Sequence, residues 1–117
     1  MRLRGLDAKF IDGCGADGSF WESRNPPIGA AQGVLFLCPL CFARNGGRPG
    51  THSILVPFAN RGVPAAFEPK LPRWTASGTG IDDLTISPSI DLSKDGAGHP
   101  RHEGCLWHGF VRNGDAA

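Results

Sequence analysis

No stretch of this sequence stays apolar long enough to span a membrane, and no run of Lys and Arg forms a basic block. The first absence argues against a helical membrane protein. The second leaves no strong electrostatic claim on nucleic acid or on an anionic lipid surface. Acids and bases nearly balance, 11 against 12, giving a net charge of +1. Met1-Arg2-Leu3-Arg4-Gly5 carries charge with no apolar stretch behind it, so a secretory signal is not expected and a reducing cytoplasm is. The chain also has no internal repeat and no low-complexity tract. It has no pair of histidines with a carboxylate suited to non-haem iron. Asp12 to Gly18 lacks the alternating side-chain oxygens and closing Glu of a calcium loop.

Helix breakers are abundant: 17 Gly and 10 Pro occur among 117 residues. Each interior Gly costs a helix about 1 kcal/mol and each Pro about 3 kcal/mol relative to Ala. The length suits one domain with a modest core. The expected fold is therefore mainly β, a small single domain over residues 1–117 with short strands and long Gly/Pro-rich loops. Loop-rich domains of this size benefit most from a staple such as a metal.

Period-two patterning places the strands. Leu6, Ala8 and Phe10 predict a first strand within Leu3–Ile11. Gly33–Leu37 is the clearest buried strand and runs directly into Cys38. His52–Val56, Arg73–Ala76 and Leu84–Ile86 are further candidates, and Ser87-Pro88-Ser89-Ile90 reads as a bend that ends the last of these. Leu106–Val111 predicts a closing strand, with the ordered part stopping at Asn113-Gly114 and the last three residues frayed. Ala59–Leu71 reads as an irregular excursion with a helical turn around Ala65, and Ser93–Glu103 as a polar loop.

Cys38-Pro39-Leu40-Cys41 and Cys105-Leu106-Trp107-His108 are the chemistry-bearing motifs. Three thiols and an imidazole are the donors that tetrahedral zinc prefers, so zinc is the expected cofactor, held by Cys38, Cys41, Cys105 and His108. Residues three apart on a regular strand face opposite ways, so Cys105 and His108 share a metal only if the backbone turns between them. Should the segment stay extended, His108 points with Leu106 and Phe110, and His102 or His52 becomes the alternative fourth ligand. A redox reading of Cys38 and Cys41 needs a helix starting at the first thiol, which the Gly and Pro residues from Asn45 onward cut short. Cys14 has no partner at useful spacing.

From Cys38 onward the chain resembles a family of small uncharacterised proteins encoded by tailed phages and prophages. The matching stretches are Cys38–Ala43 with Asn45-Gly46-Gly47, Gly50–Ser53, Arg61–Pro64, Arg73-Trp74, Gly78–Gly80, Asp82–Thr85 and Cys105–Val111. The motif-bearing core is then 33–114, with 1–32 a variable N-terminal portion. The resemblance implies phage origin and a metal site but no activity.

Three roles are compatible with these features. A stapled frame with exposed loops suits a binding protein acting on a host or phage protein, for example an inhibitor of a host defence system such as CRISPR. Arg44, Arg48, Arg61 and Arg73 are its candidate contact residues. Its expected location is the cytoplasm of an infected bacterial host, with the virion as the alternative if it is an accessory or assembly component. Nucleic acid is a further partner class, weakened by the balanced charge. The enzymatic alternative is zinc-assisted hydrolysis, with His52, His99, His102 or His108 taking part and Glu103 as base.

Overall fold

The computed structural model describes residues 1–14, 20–22, 24–64, 72–93 and 105–117. The protein is a small, mainly β domain with one α-helix among the described residues. Among these residues, eight short strands form two four-stranded sheets in which the strand pairings are antiparallel.

The first sheet contains β1 (Lys9–Cys14), β2 (Phe20–Glu22), β3 (Gly33–Leu37) and β4 (Ser53–Pro57), in the order β2-β1-β3-β4. Between β3 and β4 lies α1 (Pro39–Arg44), with Pro39 in its first turn, where a missing N–H is harmless. The second sheet contains β5 (Thr75–Ser77), β6 (Thr85–Asp91), β7 (His108–Arg112) and β8 (Asp115–Ala116), in chain order. The sheets meet where β4 runs out: Trp74 donates its N–H to Pro57 O at 3.0 Å, and Phe58 bridges Trp74. Leu3, Leu6, Phe10, Val34, Phe36, Val56, Phe58, Leu84, Ile86, Ile90 and Val111 are buried in one cluster drawn from both sheets. Each such side chain contributes on the order of 1.5–3 kcal/mol on burial.

Three expectations about local structure are corrected. The chain does not enter as a strand: Leu3–Leu6 is a 3-10 turn ended by Asp7 at φ 52°, and β1 starts at Lys9. In a 3-10 turn residues three apart eclipse one another, which is how Leu3 and Leu6 are both buried. The segment Ser87-Pro88-Ser89-Ile90 does not end its strand. β6 continues through it by a register irregularity, with Ile86 opposite Val111 and Ile90 opposite Gly109.

The chain end is not frayed either. Asn113 and Gly114 take φ of 48° and 76°, the left-handed pair of a two-residue hairpin, and return the chain as β8. Ala116 is consequently buried, and Phe110 and Ala117 exchange N–H···O bonds of 2.8 and 2.9 Å. The helical turn expected around Ala65 and the polar loop from 94 onward fall outside the described residues.

Candidate active site and metal centre

The hairpin of β3 and β4 places two metal-type donors side by side. Leu37 pairs with Ser53, and the next step of the ladder is a 3.1 Å bond from the Cys38 N–H to His52 O. Cys41 lies one turn along α1, and Cys105 arrives just ahead of β7. The donor atoms of Cys38, Cys41, His52 and Cys105 all lie within 4.8 Å of one another. The Cys38 and Cys105 sulfurs are 3.5 Å apart, close to the roughly 3.8 Å edge of a tetrahedron built on 2.3 Å zinc–sulfur bonds.

Burial pushes the Cys38 thiol up to about 12 and raises Cys41 as well. At Cys105 burial also resists ionisation, but the Trp107 N–H, the His52 ring and the two neighbouring thiols outweigh it and bring the thiol down to about 7. A bound cation supplies the charge that burial withholds and ionises coordinating thiols outright. These four residues can therefore hold a metal ion, and the donor chemistry fits one.

His108 is not in this group. The structure brings together Cys38, Cys41 and Cys105 with His52, the residue placed across the hairpin, whereas His102 lies outside the described residues, as do His99 and Glu103. Leu106 and Phe110 are 44% and 40% exposed and His108 shares their outer face, as a regular strand requires.

On that face His108 meets two residues of β6. Its Nε2 lies 2.9 Å from the Ser89 hydroxyl, and its Nδ1 faces Asp91 Oδ2 at 4.0 Å. Asp91 is directly opposite His108 in the ladder, and Ser89 lies two residues earlier on the same strand. Ser93 anchors the carboxylate, its N–H donating to Asp91 Oδ1 at 2.9 Å and its hydroxyl bonding the same oxygen. The Trp74 indole donates to Ser89 O at 3.2 Å and holds the backbone beneath the hydroxyl. The extra residues of the irregularity in β6 re-aim the serine, a common use of such features. Sequence reasoning missed Ser89 and Asp91. Ser-x-Asp with period two is the signal that could have found them, but treating Ser87–Ile90 as a bend removed it from the strand.

Of the arginines considered as contacts, Arg61 bonds Ile28 O and Ala31 O at 2.7 and 3.1 Å. Arg73 bonds Pro72 O and Pro64 O. Arg44 and Arg48 are exposed around the end of α1.

Hydroxyl, imidazole and carboxylate follow one another in space here, an arrangement compatible with a serine nucleophile. The BubE family model, described as bacterial ubiquitination-like system serine protease, matches residues 58–117, and the chain belongs to this family. Comparison with curated proteins and with solved structures gives no match. The matched half contains Ser89, Asp91, Cys105 and His108, whereas Cys38, Cys41 and His52 lie before it. This membership overturns the expected phage-encoded binding protein, with its CRISPR-inhibitor and virion variants. It also leaves zinc-assisted hydrolysis without support, because the family is named for a serine protease. Among the described residues, no helix is long and apolar enough to cross a membrane.

Proposed function

We propose that this protein is a serine hydrolase that cleaves an acyl bond in a peptide or in a conjugate of a ubiquitin-like protein. The 2.9 Å contact between His108 Nε2 and the Ser89 hydroxyl carries the reading. The family description, a protease of a bacterial ubiquitination-like system, supports it and supplies the substrate class.

Ser89 Oγ attacks the carbonyl carbon as its proton passes to His108 Nε2. The imidazolium then gives that proton to the leaving group, and water releases the acyl-serine by the same route in reverse. Asp91 holds the Nδ1–H side of the ring. The separation of 4.0 Å exceeds a hydrogen bond, and contacts of this kind commonly tighten around a bound reacting group.

The metal centre belongs to the frame in this reading. Cys38, Cys41, His52 and Cys105 would hold zinc with four protein donors, the set that structural sites use. Its effect on the reaction is indirect, because Cys105 lies three residues before His108 and ties the start of β7 to β3 and α1.

A fluorophosphonate probe tests the assignment. The expected result is a covalent adduct on Ser89, lost in Ser89→Ala and strongly reduced in His108→Gln while both variants melt like the parent. Labelling that survives Ser89→Ala would remove the reading.

A further inference from the structure

Beside the candidate nucleophile, the outer face of β7 carries a feature that the hydrolytic reading leaves unused. His108, Phe110 and Arg112 all point outward, while Gly109 and Val111 are buried. The Phe110 ring stacks near His108 with centroids 6.3 Å apart, and the Arg112 guanidinium lies 4.1 Å from the Phe110 centroid on its other flank. Among the described residues, that guanidinium has no hydrogen bond and no ion pair. Arg2, Arg4, Arg61 and Arg73, in contrast, all bond carbonyl or carboxylate oxygens within the chain. Packing on an aromatic ring removes much of the freedom of a long side chain, so Arg112 presents a preorganised cation.

The distances set where such a cation acts. A guanidinium 4.1 Å from a ring that is itself 6.3 Å from the imidazole stands within about 10 Å of that imidazole. An extended chain covers at most about 3.3–3.6 Å per residue, so this reach corresponds to two or three substrate residues. From Phe110 to Arg112 the edges of β7 are already paired, with β6 on one side and β8, extended by the Phe110–Ala117 bonds, on the other. A substrate therefore crosses the exposed face, over Phe110, and is not added as another strand.

We infer that Arg112, carried on Phe110, is a specificity-determining residue that selects substrates bearing a carboxylate two or three residues from the cleaved bond. The guanidinium fork matches a carboxylate in two parallel hydrogen bonds, and the solvent-exposed edge of the Phe110 ring lies beneath the intervening part of the substrate. The carboxylate comes either from an Asp or Glu side chain or from a free C-terminus. This inference rests on Ser89 being the nucleophile.

The test is a panel of fluorogenic peptides in which a single Asp is walked along a neutral sequence, each made with a free and an amidated C-terminus. In the parent protein, Asp two or three residues from the cleaved bond should raise kcat/KM about threefold to tenfold over the neutral peptide, and added salt should reduce the advantage. Preference confined to free-acid peptides at that spacing assigns the terminal carboxylate, and preference retained in amidated ones assigns the side chain. Arg112→Glu should reverse the preference toward Lys at the same position. Arg112→Met, which keeps a stem on the Phe110 ring, should remove it without reversal. Equal turnover of acidic and neutral peptides by the parent, or an unchanged ratio in Arg112→Glu, overturns the inference. The same result with Ser89 still labelled by fluorophosphonate leaves the nucleophile standing, whereas no labelling and no hydrolysis defeats both.

Discussion

Cys105 and His108 lie three residues apart and serve two different sites. The Cys105 sulfur is 3.5 Å from Cys38 in the thiol cluster, while the His108 imidazole is 2.9 Å from the Ser89 hydroxyl on the outer face of the second sheet. An extended backbone turns residues an odd number apart to opposite faces, so a short segment links the thiol cluster to the outer face that carries the proposed nucleophile.

The two residues should therefore fail in different ways. Cys105→Ser should lower the melting temperature sharply, because it removes one donor from a site worth on the order of 10 kcal/mol when zinc is bound. His108→Gln should melt within a degree or two of the parent, since the side chain is 52% exposed. Hydrolysis should nonetheless fall by roughly six orders of magnitude. Thermal denaturation and kinetics on both variants check this pair, and equal melting of the two would contradict the division.

Elemental analysis of protein purified without chelator should find one zinc per chain. Strong chelation should expose thiols to a disulfide reagent and unfold the domain, and re-addition of zinc should restore it. His52→Ala should weaken zinc retention, whereas the same change at His108 should not. A His52→Ala protein that keeps its metal as tightly as the parent would exclude the imidazole from the site.

Gly109 is a point where packing and activity meet. A Cβ placed there would run into the Trp107 ring and come within 2.8 Å of Ala117 O. Gly109→Ala should cost about 1–3 kcal/mol, as overpacking does in a tight site. Because the neighbouring residue is His108, kcat should fall as well. Denaturant unfolding and peptide hydrolysis measure the two effects, and an unchanged midpoint would show that the ring moves aside.

Trp74 should act through the backbone of the nucleophile. Trp74→Phe keeps an aromatic core residue but loses the indole donor to Ser89 O. Hydrolysis should drop about fivefold to tenfold, equivalent to roughly 1–1.5 kcal/mol for one hydrogen bond. The loss should fall mainly on kcat, with KM little changed. A loss entirely in KM would point to substrate contact instead.

Acid should loosen the turn that leads into β6. The N–H and hydroxyl of Thr79 and the N–H of Gly80 hold the Asp83 carboxyl below the ordinary aspartate range, and Arg4 does the same for Asp82. A carboxylate with a depressed folded value adds stability that is present above the ordinary aspartate value, about 3.9, and is lost as pH falls through the folded one. Melting temperature should therefore drop below about pH 4, and less steeply in Asp83→Asn. Parallel profiles for parent and variant would show that other groups control the acid limb.

Much of the frame is legible from local pattern. Gly33–Leu37 reads as a buried strand because its neighbours are uniformly apolar, and the Gly and Pro density limits the described chain to one six-residue helix. That helix does begin at Pro39, next to Cys38, but stops before Asn45 as the following glycines dictate. Asn113-Gly114 is a hairpin signal in its own right, and reading it as an end point obscured β8.

The proposed nucleophile is another matter. Ser89 lies beside a proline in a segment whose composition describes a bend, and pairing with β5 at Ser87 and with β7 at Ile90 and Asp91 keeps that segment in the sheet. Its relation to His108 depends on the register between strands separated by a long stretch of chain, which no local pattern encodes. The cysteine motifs and the strand-rich, helix-poor character follow from the sequence because thiol chemistry and backbone propensity are local properties. Tertiary structure alone chose His52 over His108 beside the thiols and set His108 against Ser89, because side-chain direction on a strand is decided by which face the core buries.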